Sequence, residues 1–77
     1  MKALIEYIAG ALVDSPEKVA VIQRYNGNRM RLELSVGKDD MGRVIGRGGR
    51  VANSMRILLR VSAAREGKHA SLFVVEP

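Results

Sequence analysis

Residues 43–51 of this 77-residue chain are Arg-Val-Ile-Gly-Arg-Gly-Gly-Arg-Val. The three glycines of this stretch let the backbone turn sharply and approach a ligand without hindrance from a Cβ atom. The arginines around the turn supply positive charge and fork-shaped donors for phosphate oxygens. Apolar periodicity predicts a helix on each side, so the turn leads into a helix N-terminus, where free N–H groups favour an anion. We therefore predict a phosphate-binding turn between two helices.

The positive charge of the chain is concentrated around this turn. Five arginines and no acidic residue lie between residues 41 and 62, whereas the rest of the chain has eight basic and eight acidic residues. The net charge of +5 therefore comes from one segment. A focused excess indicates a phosphate-bearing partner, and a nucleic-acid backbone fits it best. Arg47 and Arg50 are expected to contact the partner, while Arg56 and Arg60 fall away from the predicted core face and are either contacts or merely solvated.

Upstream of the turn, the pattern predicts one helix and one β-hairpin. Apolar residues in segment 1–13 recur at spacings of three and four, which is typical of an amphipathic helix. Segment 18–36 contains two strands around Asn26-Gly27, the strongest short-range hairpin signal. The apolar stripe of the helix comprises Leu4, Ile5, Ile8, Ala11 and Leu12. One face of the second strand comprises Met30, Leu32, Leu34 and Val36, and one side of the first comprises Val19, Val21 and Tyr25.

Downstream, segment 39–66 is predicted to form helix–turn–helix, and segment 70–75 a third strand. Asp39-Asp40 opens the short first helix, with one aspartate as its N-cap rather than as half of an acid–base pair. The longer helix runs from about Gly49 to Glu66 and ends at Gly67-Lys68. Its predicted core face comprises Val51, Met55, Leu58, Leu59 and Ser62.

These elements predict a single α/β (α+β) domain over residues 1–77, in the order α-β-β-α-α-β. A helical crossover between the second and third strands favours parallel neighbours, which gives a three-stranded mixed sheet with helices on one face. The absence of cysteine suits a reducing cytosol, and Glu6 interrupts any signal-peptide core. No apolar run approaches the roughly 20 residues of a membrane span. We therefore expect a cytoplasmic protein.

Other phosphate-binding and catalytic motifs are excluded or weak. No string matches a P-loop, and a dinucleotide fingerprint would need glycine where Val51 stands. A DNA-reading helix-turn-helix stays possible, although the hairpin and third strand argue against it. His69 is the only histidine and has no cysteine beside it to form a metal site. Without a nucleophile–base pair, we expect no enzymatic activity and no cofactor.

The glycine-rich turn and its surroundings resemble a known family. Residues 44–50, Val-Ile-Gly-Arg-Gly-Gly-Arg, are similar to the Val-Ile-Gly-x-x-Gly signature of KH domains, whose GxxG loop clamps about four nucleotides. The element order resembles the type II, bacterial form, and the likeness covers all 77 residues. Residues 40–46 and 55–59 more narrowly resemble the KhpA family of small stand-alone bacterial KH proteins. Gly48 departs from the KH pattern, in which this position is commonly charged or polar.

The resemblance implies a non-enzymatic protein that binds single-stranded RNA, as an RNA chaperone or post-transcriptional regulator. Its loop would hold the phosphates, while bases would lie in an apolar groove beside the two helices and strand residues near Leu34. The RNA-binding residues that it implies are Arg43, Val44, Ile45, Gly46, Arg47, Gly48, Gly49, Arg50 and Val51. It further implies a larger partner, a KhpB/Jag-like RNA-binding protein, and a link to cell elongation and envelope synthesis. RNA sequence preference and target transcripts are not encoded in any pattern that we recognise.

A second apolar strip on the long helix, Ile57, Val61 and Ala64, supports a rival function. It is either covered by the first helix or left as an interface, and we favour a homodimer formed through it. The rival function is that of a dimerising assembly subunit, which docks a larger RNA-binding partner and has little RNA contact of its own. The charge asymmetry favours RNA binding, whereas the apolar strip supports the rival function.

Overall fold

A computed structural model describes residues 1–76, and these form three α-helices and a three-stranded sheet in the predicted order α-β-β-α-α-β. The elements are α1 (Lys2–Leu12), β1 (Ala20–Asn26), β2 (Arg29–Ser35), α2 (Met41–Ile45), α3 (Arg50–Arg65) and β3 (His69–Val74). Single 3-10 turns occupy Pro16–Lys18, Lys38–Asp40 and Arg47–Gly49. None of the helices formed by residues 1–76 has the length and apolar character needed to cross a bilayer.

The sheet is mixed, with strand order β1-β2-β3. β1 and β2 are antiparallel, with Val21 opposite Leu34, and β2 and β3 are parallel, with Leu32 opposite Leu72. The parallel pair requires a crossover, which α2 and α3 provide on one face of the sheet. The predicted mixed sheet is therefore confirmed, and β2 is its central strand.

The hairpin turn lies one residue later than predicted. Asn26 pairs with Arg29, so Gly27 and Asn28 are the two turn residues, rather than Asn26 and Gly27. Gly27 has a φ of 64°, as suits the first central position of a two-residue hairpin turn. The difference arises because glycine adopts a positive φ at lower cost than asparagine, so Gly27 takes the first central position of the turn.

One face of the sheet packs against the helices. The alternation predicted for β2 is confirmed, because Met30, Leu32 and Leu34 are buried while Arg29 and Arg31 on the other face are exposed. Helices α1 and α3 contribute Ile5, Met55 and Leu59 to the same core. Among residues 1–76 no helix packs on the opposite face of the sheet, where Ile22, Arg31 and Phe73 are exposed.

The buried face of α3 differs from the prediction at Leu58. This side chain is 49% exposed, whereas Ala52 and Ala63 are buried with Met55 and Leu59. Residues 58 and 59 are about 100° apart around a helix, so both cannot face the centre of the sheet. The two alanines let the helix approach the sheet closely, and that contact turns Leu58 outward.

The faces of α1 and β1 also differ in part. In α1 the buried residues are Ile5 and Ala9, while Leu12, predicted to be buried, is partly exposed. β1 begins at Ala20 rather than near Lys18 because a 3-10 turn follows Pro16. Tyr25, predicted to share a side with Val21, is exposed at the hairpin end. The ammonium of Lys68 lies over the Tyr25 ring, 5.5 Å from its centroid.

Candidate nucleic-acid interface

The glycine-rich turn is a tight connection between α2 and α3. The Gly46 amide donates to the Gly42 carbonyl at 2.9 Å and so completes α2. The Gly49 amide donates to the Gly46 carbonyl at 3.1 Å, which closes the turn. Gly46, Gly48 and Gly49 all have positive φ, between 64° and 79°. The backbone therefore reverses direction through conformations that side chains with a Cβ adopt reluctantly.

Gly46 is required for a second reason, close packing. A Cβ at this position would lie 2.5 Å from Cγ2 of Val51 and 2.9 Å from its backbone nitrogen. The first turn of α3 thus packs directly against the end of α2. Gly48, by contrast, has open space where a Cβ would stand. It lies at the tip of the turn and faces solvent.

The tip of the turn presents free charge beside accessible backbone. Arg47, Gly48 and Arg50 are exposed, and Gly46 and Gly49 are half-buried. In the described part of the chain, neither Arg47 nor Arg50 forms an ion pair. Two guanidinium groups that no carboxylate neutralises, next to a turn that begins α3, form a site suited to an anion.

Arg43 lies near the turn, but carboxylates already hold its side chain. Its guanidinium lies 3.0 Å from the Asp14 carboxylate and 3.5 Å from that of Asp40. Both carboxylates come from outside the arginine-rich segment of the sequence. The charge that the sequence concentrates in residues 41–62 is therefore partly neutralised in space, and Arg50 and Arg47 carry more of the free charge than Arg43 does.

Asp40 takes the N-cap position predicted for an aspartate, but its side chain has a different role. The side chain makes no capping hydrogen bond at the start of α2. Instead the buried carboxylate accepts hydrogen bonds from the backbone amides of Asp14 and Ser15, each at 3.2 Å. The carboxylate therefore ties the segment after α1 to the start of α2. A contact across 25 or more residues leaves no local signal in the sequence.

The apolar residues of the predicted site lie at different depths. Val44 is fully buried, so its side chain supports the turn from beneath and does not reach the surface. Ile45 is exposed, and Val51 is half-buried against Gly46. Leu34 is fully buried in the central strand, so its side chain can support the groove expected near it but is not itself on the surface. The strand with a free edge beside α3 is β3, because β2 is paired on both sides.

Arg56 links α3 to this free edge. Its Nε donates to the Leu72 carbonyl at 3.0 Å, and one terminal nitrogen donates to Oδ1 of Asn53 at 2.9 Å. Arg56 therefore lies beside the buried face of α3, as expected, but its side chain is half-buried and hydrogen-bonded rather than merely solvated. Its side chain satisfies a carbonyl that no neighbouring strand can reach. The signal missed in the sequence is the i, i+3 spacing of Asn53 and Arg56, which places both on the flank facing β3.

Arg60 follows one turn later and borders an open cleft of about 520 Å³ between α3 and β3. Lys68 and His69 line the cleft together with Ala64 of α3. The cleft thus has three basic side chains, of which Lys68 and His69 lie outside the arginine-rich segment of the sequence. No spacing rule relates them, because the turn after α3 brings Lys68 and His69 back beside Arg60.

The outer face of α3 is apolar and uncovered. Ile57 is 59% exposed and Val61 51% exposed, and Ala64 is exposed as well. Leu58 adds to the same surface. α1 does not cover this strip, which removes one of the two alternatives left open by the sequence.

Within residues 1–76, no cluster of three or more His, Cys, Asp and Glu side chains has the arrangement of a metal site. The chemistry of the interface is that of guanidinium groups, backbone amides and apolar surface. Such groups are suited to binding and orienting a polyanion.

Comparison with known proteins identifies the family. The sequence model of the KhpA/KhpB KH domain matches residues 2–74. The "RNA-binding protein KhpA" of Halalkalibacterium halodurans is 41% identical over 76 residues, which cover 99% of this chain and 100% of that protein. The protein of the same name from Clostridium perfringens is 40% identical over 97% of this chain and all of its own length. That of Chlamydia trachomatis is 38% identical over 99% of this chain and 97% of its own.

A solved structure supports the fold independently. The crystal structure of a variant of Era from Aquifex aeolicus superposes on 97% of this chain with a TM-score of 0.68 and 17% sequence identity. This chain spans 29% of the length of that one, so the likeness concerns the fold alone. Members of the family are named RNA-binding proteins, which agrees with the prediction that the protein is not an enzyme. By its sequence along nearly the whole chain and by its topology, the protein belongs to the KhpA/KhpB family of KH domains.

Proposed function

We propose that the protein binds single-stranded RNA without catalysing a reaction, and that the Gly46–Gly49 turn clamps the RNA backbone. The relatives named above are called RNA-binding proteins, and this chain aligns with them over at least 97% of its length. The observation that carries the proposal is the exposed turn itself, with Arg47 and Arg50 free of carboxylates on either side. Phosphate oxygens fit both the guanidinium forks and the adjoining amides.

The path of the RNA beyond the turn follows from the free edge of β3. From the turn, α3 carries Arg56 and then Arg60 along the flank that faces this edge. We propose that bases enter the groove between α3 and β3, with Ile45 and Val51 as apolar contacts near the turn. Val44 supports these contacts from below. Arg43 contributes less to binding because Asp14 and Asp40 hold its guanidinium.

Reversing the charge of the turn tests the proposal. Arg47→Asp combined with Gly48→Asp puts two carboxylates where phosphates would sit. We expect the affinity for an unstructured RNA of about four nucleotides to fall by at least about tenfold, since each lost phosphate contact also removes counterion release. Fluorescence anisotropy at fixed salt concentration measures the affinity, and circular dichroism confirms the fold.

A matched control separates local contact from overall charge. Lys2→Asp combined with Ala3→Asp changes the net charge by the same amount, on exposed positions at the start of α1. This control should bind within about twofold of the unaltered protein, because exposed charges beyond a Debye length of about 8 Å are screened. Equal losses in both double variants would mean that the turn is not the site.

The uncovered strip on α3 favours a second role, self-association. We propose that Ile57, Val61 and Ala64 form the contact between two copies of the chain, since exposed apolar surface of this kind marks an interface. A dimer presents two turns to one RNA and so raises the affinity through effective concentration. In the rival function the same strip serves assembly, and RNA contact is incidental.

The biological role that we propose is that of a cytoplasmic RNA chaperone or post-transcriptional regulator. It acts with a KhpB/Jag-like partner in the control of cell elongation and envelope synthesis. The support for this role is the family, and a pull-down from cells followed by sequencing of crosslinked RNA tests it. Loss of RNA crosslinks in the Arg47→Asp/Gly48→Asp variant only supports direct RNA binding through the turn. Loss of the partner from the recovered complex supports the rival function in assembly.

A further inference from the structure

The open face of the sheet carries a second group of arginines, far from the turn in sequence. Arg29 and Arg31 of β2 project from this face, since they alternate with the buried Met30 and Leu32. Arg24 of β1 lies directly opposite Arg31. All three arginines are exposed. They belong to the hairpin, so the charge pattern of the sequence does not connect them with residues 41–62.

Two arginines placed directly opposite each other repel, and such a pair weakens a sheet. Here Glu33 compensates, because its carboxylate lies 3.6 Å from Arg24 and 3.1 Å from Arg31. One carboxylate holds two guanidinium groups, while Arg29 forms no ion pair within residues 1–76. The face therefore keeps a positive excess that the sheet does not need for its stability. A pair of like charges that weakens the sheet is expected where a surface serves binding.

The three arginines surround an open cleft of about 240 Å³. The other residues that line it are Tyr25, Asn26, Met30 and Ser71, so the described residues around it include no aspartate or glutamate. Beside the cleft, the Arg31 guanidinium lies over the Phe73 ring, 4.1 Å from its centroid. A guanidinium fixed by a ring beneath it and a carboxylate beside it offers its outer plane for stacking. RNA bases stack on such planes as well as on aromatic rings.

We propose that this face is a second RNA-contact surface, in which Arg24 and Arg29 bind phosphates and Arg31 stacks on a base. The inference rests on the proposed function, because the RNA held by the turn is the ligand that continues onto this face. The two surfaces lie near opposite ends of α3, whose 16 residues span about 24 Å. A fragment of about four nucleotides fills one surface only, whereas a longer strand engages both.

Charge complementarity indicates that RNA, rather than an apolar protein partner, binds at this cleft. Three of the seven residues that line the cleft are arginines and none is acidic, while Tyr25 supplies an exposed ring and Arg31 lies over the ring of nearby Phe73. An apolar protein partner would be expected to meet uncovered aromatic and aliphatic surface at its centre, with few charges. A phosphate backbone with unpaired bases matches both the charges and the stacking plane.

The test compares two RNA lengths. Arg24→Gln combined with Arg29→Gln removes two charges and leaves Glu33 paired with Arg31. With an unstructured RNA of about 15 nucleotides, we expect about a tenfold loss of affinity and a salt slope smaller by about 1.4, as for two phosphate contacts to a single strand. With RNA of about four nucleotides, binding at the turn should be unchanged. The matched control is Lys2→Gln combined with Lys38→Gln, which removes two exposed charges elsewhere.

The outcomes separate this inference from the function on which it rests. If the arginine pair and the lysine pair affect the longer RNA equally, the second surface is rejected. If the longer RNA loses affinity only in the arginine pair, the surface is supported. The Arg47→Asp/Gly48→Asp variant reports on the turn independently with the shorter RNA. Unchanged binding there would reject the clamp, whatever the sheet variants show.

Discussion

At the scale of single residues, Gly46 has the most constrained backbone position in the site. Its φ is 76°, and its missing Cβ leaves room for Val51, whose side chain and amide would otherwise be 2.5 and 2.9 Å away. Gly46→Ala therefore combines backbone strain with a clash against the start of α3. We expect it to lower the free energy of unfolding by about 2–4 kcal/mol, as measured by urea denaturation.

Gly42→Ala is the matched control for this change. Gly42 lies in α2 at negative φ, and a Cβ there would have nothing within 4 Å. Alanine in a helix is favoured over glycine by about 1 kcal/mol, so the control should be neutral or slightly stabilising. Similar losses in the two variants would contradict the close packing that we describe at the turn.

Asp40 is the second residue whose role depends on contacts distant in sequence. Asp40→Ala leaves the amides of Asp14 and Ser15 without their acceptor and removes one partner of Arg43. The expected loss of unfolding free energy is about 2–4 kcal/mol, because two partly buried donors lose a charged acceptor. Thermal denaturation followed by circular dichroism measures it. The neighbouring Asp39 is exposed, and Asp39→Ala should change stability by less than about 0.5 kcal/mol.

At the scale of elements, the sequence predicted what periodicity and local chemistry control. The strict alternation of β2 placed Met30, Leu32 and Leu34 on the buried face, and the crossover helices predicted the parallel pairing with β3. The sequence does not predict with the same precision which residues of α3 face the sheet. Val51, Leu58 and Ser62 fit an apolar stripe as well as Ala52 and Ala63 do, and only the approach of the helix to the sheet decides between them.

The candidate site was predictable to a similar degree. The glycines and the arginines at the turn are contiguous in sequence, so their proximity followed from the chain itself. Other features arise from contacts between distant segments: the neutralisation of Arg43 by Asp14, the anchoring of Arg56 on Leu72 and the cleft around Arg60. A single sequence carries no signal for such pairs.

The outer face of α3 leads to a prediction about assembly. Val61 is half exposed, so Val61→Asp should leave the fold intact while placing a charge in the apolar strip. We expect light scattering to show a mass of 8.4 kDa for this variant, against twice that mass for the unaltered protein. Ala3→Asp adds the same charge to the exposed side of α1 and should remain dimeric. A Val61→Asp protein that still dimerises would reject the proposed interface.

At the scale of the whole molecule, the net charge of +5 is not distributed as the sequence suggests. Within residues 1–76, the arginines without an ion pair include Arg47, Arg50 and Arg60 at the turn and along α3, and Arg29 on the open face of the sheet. The uncovered apolar strip lies on a third surface, the outer face of α3. Ala64 belongs both to this strip and to the lining of the cleft between α3 and β3, so the proposed dimer contact borders the proposed path of the RNA.

The most direct test of the account is NMR titration of isotopically labelled protein with an RNA of about four nucleotides. Our account predicts that the backbone amide signals of Arg47, Gly48, Gly49 and Arg50 move most, and that they move less at higher salt concentration. If these four signals stay in place while the RNA binds elsewhere, or if none moves at all, the clamp that we assign to the glycine-rich turn does not exist.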